Sequence, residues 1–325
     1  MDFELSQDQR DLQDGIRSLV AGAVPLDATR SKEGADDVID PDAWHALGDA
    51  GVFSLLVDED AGGTGLDLIE GAIVFEELGR VLAPGPLVAT TALAPFLEAA
   101  AHGSPHAFVE QSTSAIPTLL EHPRSAATVV SLPAIESDAL ALVLDRAALA
   151  TEPVPSPLDP LTPLAVVTGS FDAACPLEGV SAARLRQTAM VLSSAFQVGI
   201  AAQSVDLATE YAKHREQFGR PIGSFQAIKH LLADALVRTE VARASVHSAA
   251  ITLDDEVVAE AEALVVGLDP EQLRWRAVPV IAPLPDEAAL CAAIRAGAHD
   301  DDAALAETLQ HYTEARCRIS SKPTR

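Results

Sequence analysis

The sequence is short of aromatic residues and of cysteine, and each shortage limits the class of protein. Aromatic residues make up 4% of the 325 residues, whereas hydrophobic residues make up 48%. A large core must therefore be built from small aliphatic side chains, which favours closely packed helices. The three cysteines, Cys175, Cys291 and Cys317, are far apart and odd in number, which indicates neither a disulfide framework nor a zinc site. We expect no metal site.

Positive charge is also scarce. The chain has 22 Lys and Arg against 48 Asp and Glu, a formal net charge of −26. Such a surface repels nucleic acid and anionic membranes, so any bound phosphate must be held by local groups. No uninterrupted apolar run reaches the length of a membrane span, and the acidic start, Met1-Asp-Phe-Glu, lacks the basic region of a signal peptide. We expect a cytoplasmic protein that binds neither nucleic acid nor membranes.

One stretch lies between two runs of apolar residues at helical spacing. Its sequence, at residues 211–230, is YAKHREQFGRPIGSFQAIKH. Gly219, Pro221 and Gly223 cannot continue a helix, so they predict a turn between two antiparallel helices. Arg215 and Phe218, three residues apart, are predicted to share one face at the end of the first helix. A guanidinium beside an aromatic ring suits a ligand that carries both phosphate and a flat base. The pattern alone favours a simpler interpretation, in which the arginine caps the last carbonyls and the phenylalanine is core.

A second stretch, GVFSLLVDEDAGGTGL at residues 51–66, is followed by EELGR at residues 76–80. The glycines at 62, 63 and 65 lack the preceding strand of a dinucleotide site and the Lys-Ser/Thr of a P-loop, so we predict a tight turn into a helix over 68–82. On that helix the adjacent Glu76 and Glu77 point about 100° apart. This predicts a solvated face rather than a catalytic pair.

Together the two stretches resemble the signature segments of the acyl-CoA dehydrogenases, tetrameric flavoproteins that oxidise acyl-CoA thioesters to enoyl-CoA. The resemblance covers roughly residues 1–253 and is weak in the middle. It implies a mainly α fold with a small β middle domain. The implied domains are an N-terminal helical domain at 1–112, a reduced β domain at 113–178, a C-terminal helical bundle with the hairpin at 179–253, and a divergent tail at 254–325.

The middle of the chain changes from helical to strand-like periodicity. Short β runs at 127–132, 140–144 and 164–168 are separated by proline-rich turns. In the family, loops of this domain carry Thr-Glu-Pro/Gly-Ser-Asp and Trp-Ile-Ser/Thr motifs that contact the flavin ring, and neither motif is found here. The interval from 117 to 178 is also short for a complete barrel. We expect a reduced sheet with no complete flavin pocket.

The family's chemistry needs a carboxylate base for the α-proton, while flavin N5 takes the β-hydride. The C-terminal landmark that carries this base in most members, Gln-x-x-Gly-Gly-x-Gly, is not found after residue 253. In another branch the base lies on the helix before the signature, at a position that corresponds to about Ala189. Two candidates remain: Glu178, which is expected to precede that helix, and Glu314, which stands in a context that does not match. We expect no catalytic residue in this chain. The tail is either a divergent extension or the product of a shifted reading frame.

The resemblance also implies how the cofactor FAD is held, since in family dimers one subunit holds the flavin ring and the other's hairpin holds the adenosine and pyrophosphate. By this resemblance Arg215 pairs with the pyrophosphate, Gln217 bonds to it or to the ribose, and Phe218 packs on the adenine side. The set of cofactor-binding residues predicted in this way is Arg215, Gln217, Phe218, Gly219, Ile222 and Gln226. Relatives often have a polar residue at the position of Phe225, so the role of this position in binding is left open.

The chain resembles the small subunit, lacking the base, of heterotetrameric (α2β2) acyl-CoA dehydrogenases that act on steroid side-chain CoA esters. The leading hypothesis is a noncatalytic subunit that completes the FAD site of a larger catalytic partner, with an electron-transfer flavoprotein as acceptor. One alternative is a self-sufficient acyl-CoA dehydrogenase with a non-standard base. Another is a helical scaffold that binds no flavin.

Overall fold

The computed structural model describes residues 5–35, 37–111, 117–133 and 139–254. Within these residues the protein is mainly α-helical with a small β region, as predicted. Apart from Asp254, the predicted tail lies outside the described residues, and so does Glu314.

Six helices precede the β region. They are α1 (Gln7–Ala23), α2 (Leu26–Ser31), α3 (Pro41–Asp49), α4 (Leu68–Arg80), α5 (Leu87–Leu93) and α6 (Glu98–Ala101). A capping box starts α1: Ser6 Oγ accepts from the Gln9 amide at 3.1 Å, and Gln9 Oε1 accepts from the Ser6 amide at 3.0 Å. The helices α5 and α6 are separate because Pro95 lacks an amide hydrogen and cannot continue a helix.

The β region contains seven described strands. They are β1 (His106–Glu110), β2 (Leu119–Glu121), β3 (Thr128–Leu132), β4 (Leu140–Asp145), β5 (Thr151–Pro153), β6 (Leu164–Val167) and β7 (Cys175–Ser181). One sheet has the order β1-β3-β4-β7, with β1 and β3 parallel and the other pairs antiparallel; the second, antiparallel, has the order β2-β6-β5. The sequence predicted β3, β4 and β6. The strands extend beyond residues 113–178 at both ends.

Two long helices follow, α7 (Ala182–His214) and α8 (Gln226–Asp254), joined by the short strands β8 (Glu216–Gln217) and β9 (Arg220–Pro221). This is the predicted antiparallel hairpin. By length and composition α7 would suffice to cross a membrane, and it is the one described helix that meets this test; a third of its apolar window is buried. It packs against both α4 and α8.

The centre of the helical part is the crossing of α4 and α7, where the two backbones touch. A Cβ atom at Gly79 would overlap the Phe196 carbonyl oxygen, and one at Gly199 would overlap the Glu76 carbonyl oxygen. Because neighbours cover α4 on nearly every side, ten of its thirteen residues are buried.

The prediction of a solvated face at Glu76 and Glu77 is therefore wrong. These side chains lie in the buried part of α4, with exposed fractions of 4% and 1%. Arg243 of α8 and Arg17 of α1 neutralise them. Carboxylates tolerate such burial when an arginine supplies hydrogen bonds as well as charge.

Candidate functional site

The turn of the α7–α8 hairpin carries the predicted cofactor-binding residues. α7 ends at His214, and the Arg215 amide donates to the Tyr211 carbonyl oxygen at 2.8 Å. Phe218 and Gly219, the two residues between β8 and β9, both have positive φ angles, 54° and 74°. This is the pattern of a type I′ turn, whose twist matches that of the paired strands.

Arg215 and Phe218 are therefore not on a common helical face, and that part of the prediction is wrong. The helix stops before both residues, because the chain turns into an extended pair of strands. A left-handed conformation at a non-glycine residue costs about 1–2 kcal/mol, so Phe218 adopts it against its own preference. Backbone outliers of this kind cluster at functional sites.

Close packing fixes the base of the turn. The Ile222 amide donates to the Arg215 carbonyl oxygen at 2.8 Å. A Cβ atom at Gly223 would lie 2.8 Å from the Ala212 carbonyl oxygen, so only glycine allows α7 and the start of α8 to approach this closely. The backbone of the turn is thus fixed although its tip projects from the helices.

At the tip, Phe218 is 91% exposed. Its ring meets the edge of Phe225 with centroids 6.1 Å apart, and the Arg220 guanidinium lies 4.2 Å from the Phe225 centroid. The simpler interpretation, in which Phe218 is a core residue, is wrong. Nor does the Arg215 guanidinium cap carbonyls, because within the described part of the chain it has no hydrogen bond or ion pair.

The other predicted residues are accessible too. Gln217, Gly219 and Gln226 are exposed, and Ile222 is half-buried. The structure thus brings the six residues together at one exposed tip. Their roles in binding FAD stay predictions.

The tip is basic in an acidic protein. Arg220 and Lys229, which follow Arg215 in the sequence, are exposed, and Glu216 is the one acidic residue between Arg215 and Lys229. Lys213 lies near the end of α7, before the tip. Its Nζ donates to Glu210 Oε1 at 2.5 Å, and this hydrogen bond lowers the pKa of the Glu210 carboxyl. Cationic donors beside an exposed ring fit the phosphates and base of a nucleotide. Sequence reasoning overlooked Arg220, although it stands in the same stretch.

The candidate positions for a catalytic base that the structure describes lie on α7 and β7. Ala189 lies on α7 and supplies no carboxylate, and Glu178 is an exposed residue of β7. Asp254, at the end of α8, was not considered in the sequence. Its Oδ2 accepts from the Ile69 amide at 3.3 Å, and burial, together with the nearby Asp67, raises its pKa to about 6. This carboxylate is engaged at the first turn of α4, where it acts as a cap.

No group of three His, Cys, Asp or Glu among the described residues could hold a metal ion. A cavity of about 430 Å³ lies beside α3 and is lined by Trp44, His45, Phe53 and His102 among others. It contains none of the predicted cofactor-binding residues.

Comparison with known proteins identifies the family. The family models for the acyl-CoA dehydrogenase N-terminal and C-terminal domains match residues 6–106 and 180–268. The acyl-CoA dehydrogenase IpdE2 of Mycobacterium tuberculosis is 35% identical over 75% of this chain and 76% of its own length. The chain belongs to the acyl-CoA dehydrogenase family. The IpdE2 protein of Mycolicibacterium smegmatis is 32% identical over 76% of this chain and 78% of its own length.

Solved structures share the fold. The ChsE4-ChsE5 complex from Mycobacterium tuberculosis superimposes with a TM-score of 0.64 and 23% identity, covering 81% of each chain. The steroid acyl-CoA dehydrogenase variant Tcur3481-Tcur3483 G363A gives a TM-score of 0.62 and 23% identity, covering 77% of this chain and 79% of that one. The family of oxidoreductases acting on the CH–CH bond of acyl-CoA, predicted from the two signature stretches, is thus confirmed.

Proposed function

We propose that this chain is a noncatalytic subunit of a heterotetrameric, FAD-dependent acyl-CoA dehydrogenase. Its hairpin tip would complete the FAD site of a larger catalytic subunit, and an electron-transfer flavoprotein would accept the electrons. The observation that carries this proposal is the exposure of the tip. Phe218 is held in a strained turn and is 91% exposed, and the Arg215 guanidinium has no hydrogen bond or ion pair among the described residues. A tip that is this exposed lacks the surrounding protein that would exclude water from a bound cofactor, and a second subunit would supply it.

The residues present fit the nucleotide half of FAD. Arg215 is suited to the pyrophosphate because its planar fork can bond two phosphate oxygens at once. Gln217 would bond the pyrophosphate or the ribose, and Phe218 would pack on the adenine. Ile222 and Gln226, which follow the turn, would contact the adenosine half. FAD, when bound, would accept the hydride through a ring held by the partner.

Exposed apolar side chains on both arms of the hairpin also favour a partner. Leu207 and Tyr211 of α7 are exposed one turn apart, and Val237 and Val241 of α8 repeat this spacing. Apolar side chains that are grouped rather than scattered over a surface mark sites of protein association. Burying them against a second chain would bring that chain close to the tip.

The acidic character of the chain is compatible with a different partner rather than a second copy. Two copies that each carry a formal charge of −26 repel each other more strongly than this chain repels a less acidic one. The names of two structures with the same fold add support for the type of assembly and substrate: one is a complex of two chains, and the other is a steroid acyl-CoA dehydrogenase. We therefore propose steroid side-chain CoA esters as the substrate class.

The test is expression of the chain alone and together with a candidate catalytic acyl-CoA dehydrogenase subunit. We expect a colourless lone chain and a yellow complex that desaturates an acyl-CoA thioester. Acyl-CoA oxidation by the lone chain would instead support the self-sufficient enzyme. A stable complex without flavin would support the scaffold.

A further inference from the structure

Two adjacent buried glutamates of α4 are held by arginines from different helices. Arg243 of α8 bonds Glu76 through Nε and Nη2 at 2.8–3.0 Å. Arg17 of α1 bonds Glu77 in the same two-pronged way, with Nη2 to Oε1 at 2.6 Å and Nε to Oε2 at 3.0 Å. Hydrogen bonding to Glu77 raises the pKa of Arg17, and hydrogen bonding to Glu76 raises the pKa of Arg243.

A third arginine connects this cluster to α7. Arg80 follows Glu76 by one turn of α4. Its Nε lies 3.8 Å from Glu77 Oε2, and its Nη2 lies 2.5 Å from Oδ2 of Asp206 on α7. The clamp formed by Arg17, Glu76, Glu77, Arg80, Asp206 and Arg243 therefore joins α1, α4, α7 and α8. We call these six residues the charge clamp.

Asp206 lies at the root of the projecting hairpin. It stands nine residues before Arg215, a distance of about 14 Å along a helix. Most residues of α7 from Ser204 to Tyr211 are exposed, so the N-terminal helices give this part of α7 little side support. A tilt of about 5° at the root would move the tip by about 1 Å over this length. A shift of that size is enough to weaken a contact that depends on geometry.

The charge clamp is better suited to fixing an angle than to adding stability. A buried ion pair adds little net stability compared with apolar residues of the same volume, because desolvation offsets much of the attraction. Its two-pronged hydrogen bonds are directional, however, whereas apolar contacts allow helices to slide. At the same crossing, Gly79 and Gly199 already allow close backbone packing without charge.

We infer that Glu76, Glu77 and their arginines are positioning residues that fix the angle of the α7–α8 hairpin against the N-terminal helices. The tip is thereby presented in one orientation. That this orientation serves FAD binding rests on the proposed function. That the charge clamp fixes the orientation does not.

The test replaces one pair by apolar side chains of similar size, Glu76→Leu with Arg243→Met. Nitroxide labels at Arg10→Cys on α1 and Lys229→Cys on α8, in a chain whose own cysteines are serine, report the distance between the N-terminal helices and the hairpin by pulsed electron paramagnetic resonance. We expect one narrow distance in the parent. In the double variant we expect a distribution broadened or shifted by more than about 2 Å, with an unchanged midpoint of thermal unfolding.

The matched control is Asp234→Leu with Arg238→Met, an exposed pair on α8 whose charged atoms are 2.9 Å apart. It should change neither the distance nor the midpoint. An unchanged distance distribution in a stable clamp variant would overturn the inference. So would a loss of stability with an unchanged distribution, since that describes a purely structural pair.

If the double variant does not fold, Glu76→Gln keeps the size and one acceptor of the side chain and should give a smaller broadening. In the co-expressed complex the clamp variant should also bind FAD about tenfold more weakly by flavin fluorescence. The distance measurement needs neither FAD nor a partner. A complex that never binds FAD would therefore refute the proposed function and leave the positioning result standing.

Discussion

The hairpin tip and the crossing of α4 with α7 use the same residue types for opposite purposes. At the crossing, Arg243 is half-buried and bound to Glu76. At the tip, Arg215 is exposed and its guanidinium has no hydrogen bond or ion pair within the described residues. The glycines differ in the same way: Gly199 has no room for a side chain, whereas Gly219 has open space and a positive φ of 74°. Satisfied groups in the crossing hold the fold, and unsatisfied groups at the tip are available to a ligand.

The largest effect is expected from breaking the crossing. Gly199→Ala places a Cβ atom on the Glu76 carbonyl oxygen, so the two helices must separate. We expect a loss of about 3 kcal/mol in the free energy of unfolding, measured by urea denaturation. Gly15→Ala in α1 is the control, because that Cβ atom would meet nothing within 4 Å; alanine there should stabilise the chain by up to about 1 kcal/mol. Equal effects of the two substitutions would refute the close approach of α4 and α7.

His122 is an exception to the rule that buried polar groups are satisfied. Its side chain is 4% exposed, and Nδ1 has no hydrogen-bond partner among the described residues. Burial lowers its pKa to about 4, although Asp159 and Asp37 act in the opposite direction. The unfolded chain takes up a proton below pH 6.5, and the folded chain does so only near pH 4, so stability falls as the pH drops between these values.

Relative to pH 8, this one group should cost about 2 kcal/mol of unfolding free energy at pH 5. His122→Asn removes the titration and keeps a residue that tolerates the positive φ of 48°. Urea denaturation at both pH values should show a pH dependence smaller by about that amount in the variant. His106 and His247, whose pKa values burial also lowers, are present in both proteins and cancel from the comparison. An identical pH dependence would show that His122 is hydrated or paired in solution.

At the tip, removing a charge should affect binding and not stability. Arg215→Ala is expected to weaken FAD binding by the co-expressed complex about thirtyfold, about 2 kcal/mol, and to leave thermal unfolding of the lone chain unchanged. Flavin fluorescence gives the affinity, and Arg238→Ala is the control because Arg238 is an exposed arginine of α8 paired within its own helix. If both variants bind FAD equally well, the tip is not the nucleotide site.

The difference between the two regions also explains what the sequence could predict. The hairpin depends on local signals: Gly219 and Pro221 interrupt two apolar periodic runs, and any chain with that pattern must turn. The strands β3, β4 and β6 were predicted for the same reason. β7 was not, because it contains Pro176 and Gly179, which are unfavourable in strands.

The crossing depends on contacts between distant segments. Glu77 and Arg17 are 60 residues apart, and Glu76 and Arg243 are 167 apart. Helical spacing alone assigns two adjacent charges to a solvated face, because it assumes that one side of the helix meets water. α4 has no such side over most of its length. The turn conformation at Phe218 was hidden for a similar reason, since helix propensity does not show where strand pairing will end a helix.

The smallest effect on stability is expected at Asp254, which connects the end of α8 to the start of α4. It ends the second arm of the hairpin and accepts a hydrogen bond from Ile69 in the first turn of α4. Because its pKa is raised to about 6, chiefly by burial, its charged form is disfavoured in the folded chain. The loss of unfolding free energy caused by the buried charge is therefore greatest above pH 6 and disappears as the pH falls towards the ordinary pKa of an aspartate. For His122 the direction is opposite, because its loss appears as the pH falls.

Asp254→Asn keeps an acceptor for the Ile69 amide and removes the charge. We expect it to stabilise the chain at pH 8 by on the order of 1 kcal/mol, a value reduced for the solvent that still reaches a half-buried carboxyl. At pH 5, between the raised pKa of the folded chain and the ordinary value of the unfolded chain, about half of this gain should remain. Asp234→Asn, at an exposed position of α8, should show no such difference between the two pH values. A variant that is less stable at pH 8 would mean that the charge of Asp254 favours the α4 terminus more than burial opposes it, and that the end of the hairpin is held to the helical core by the same kind of charged contact as its root.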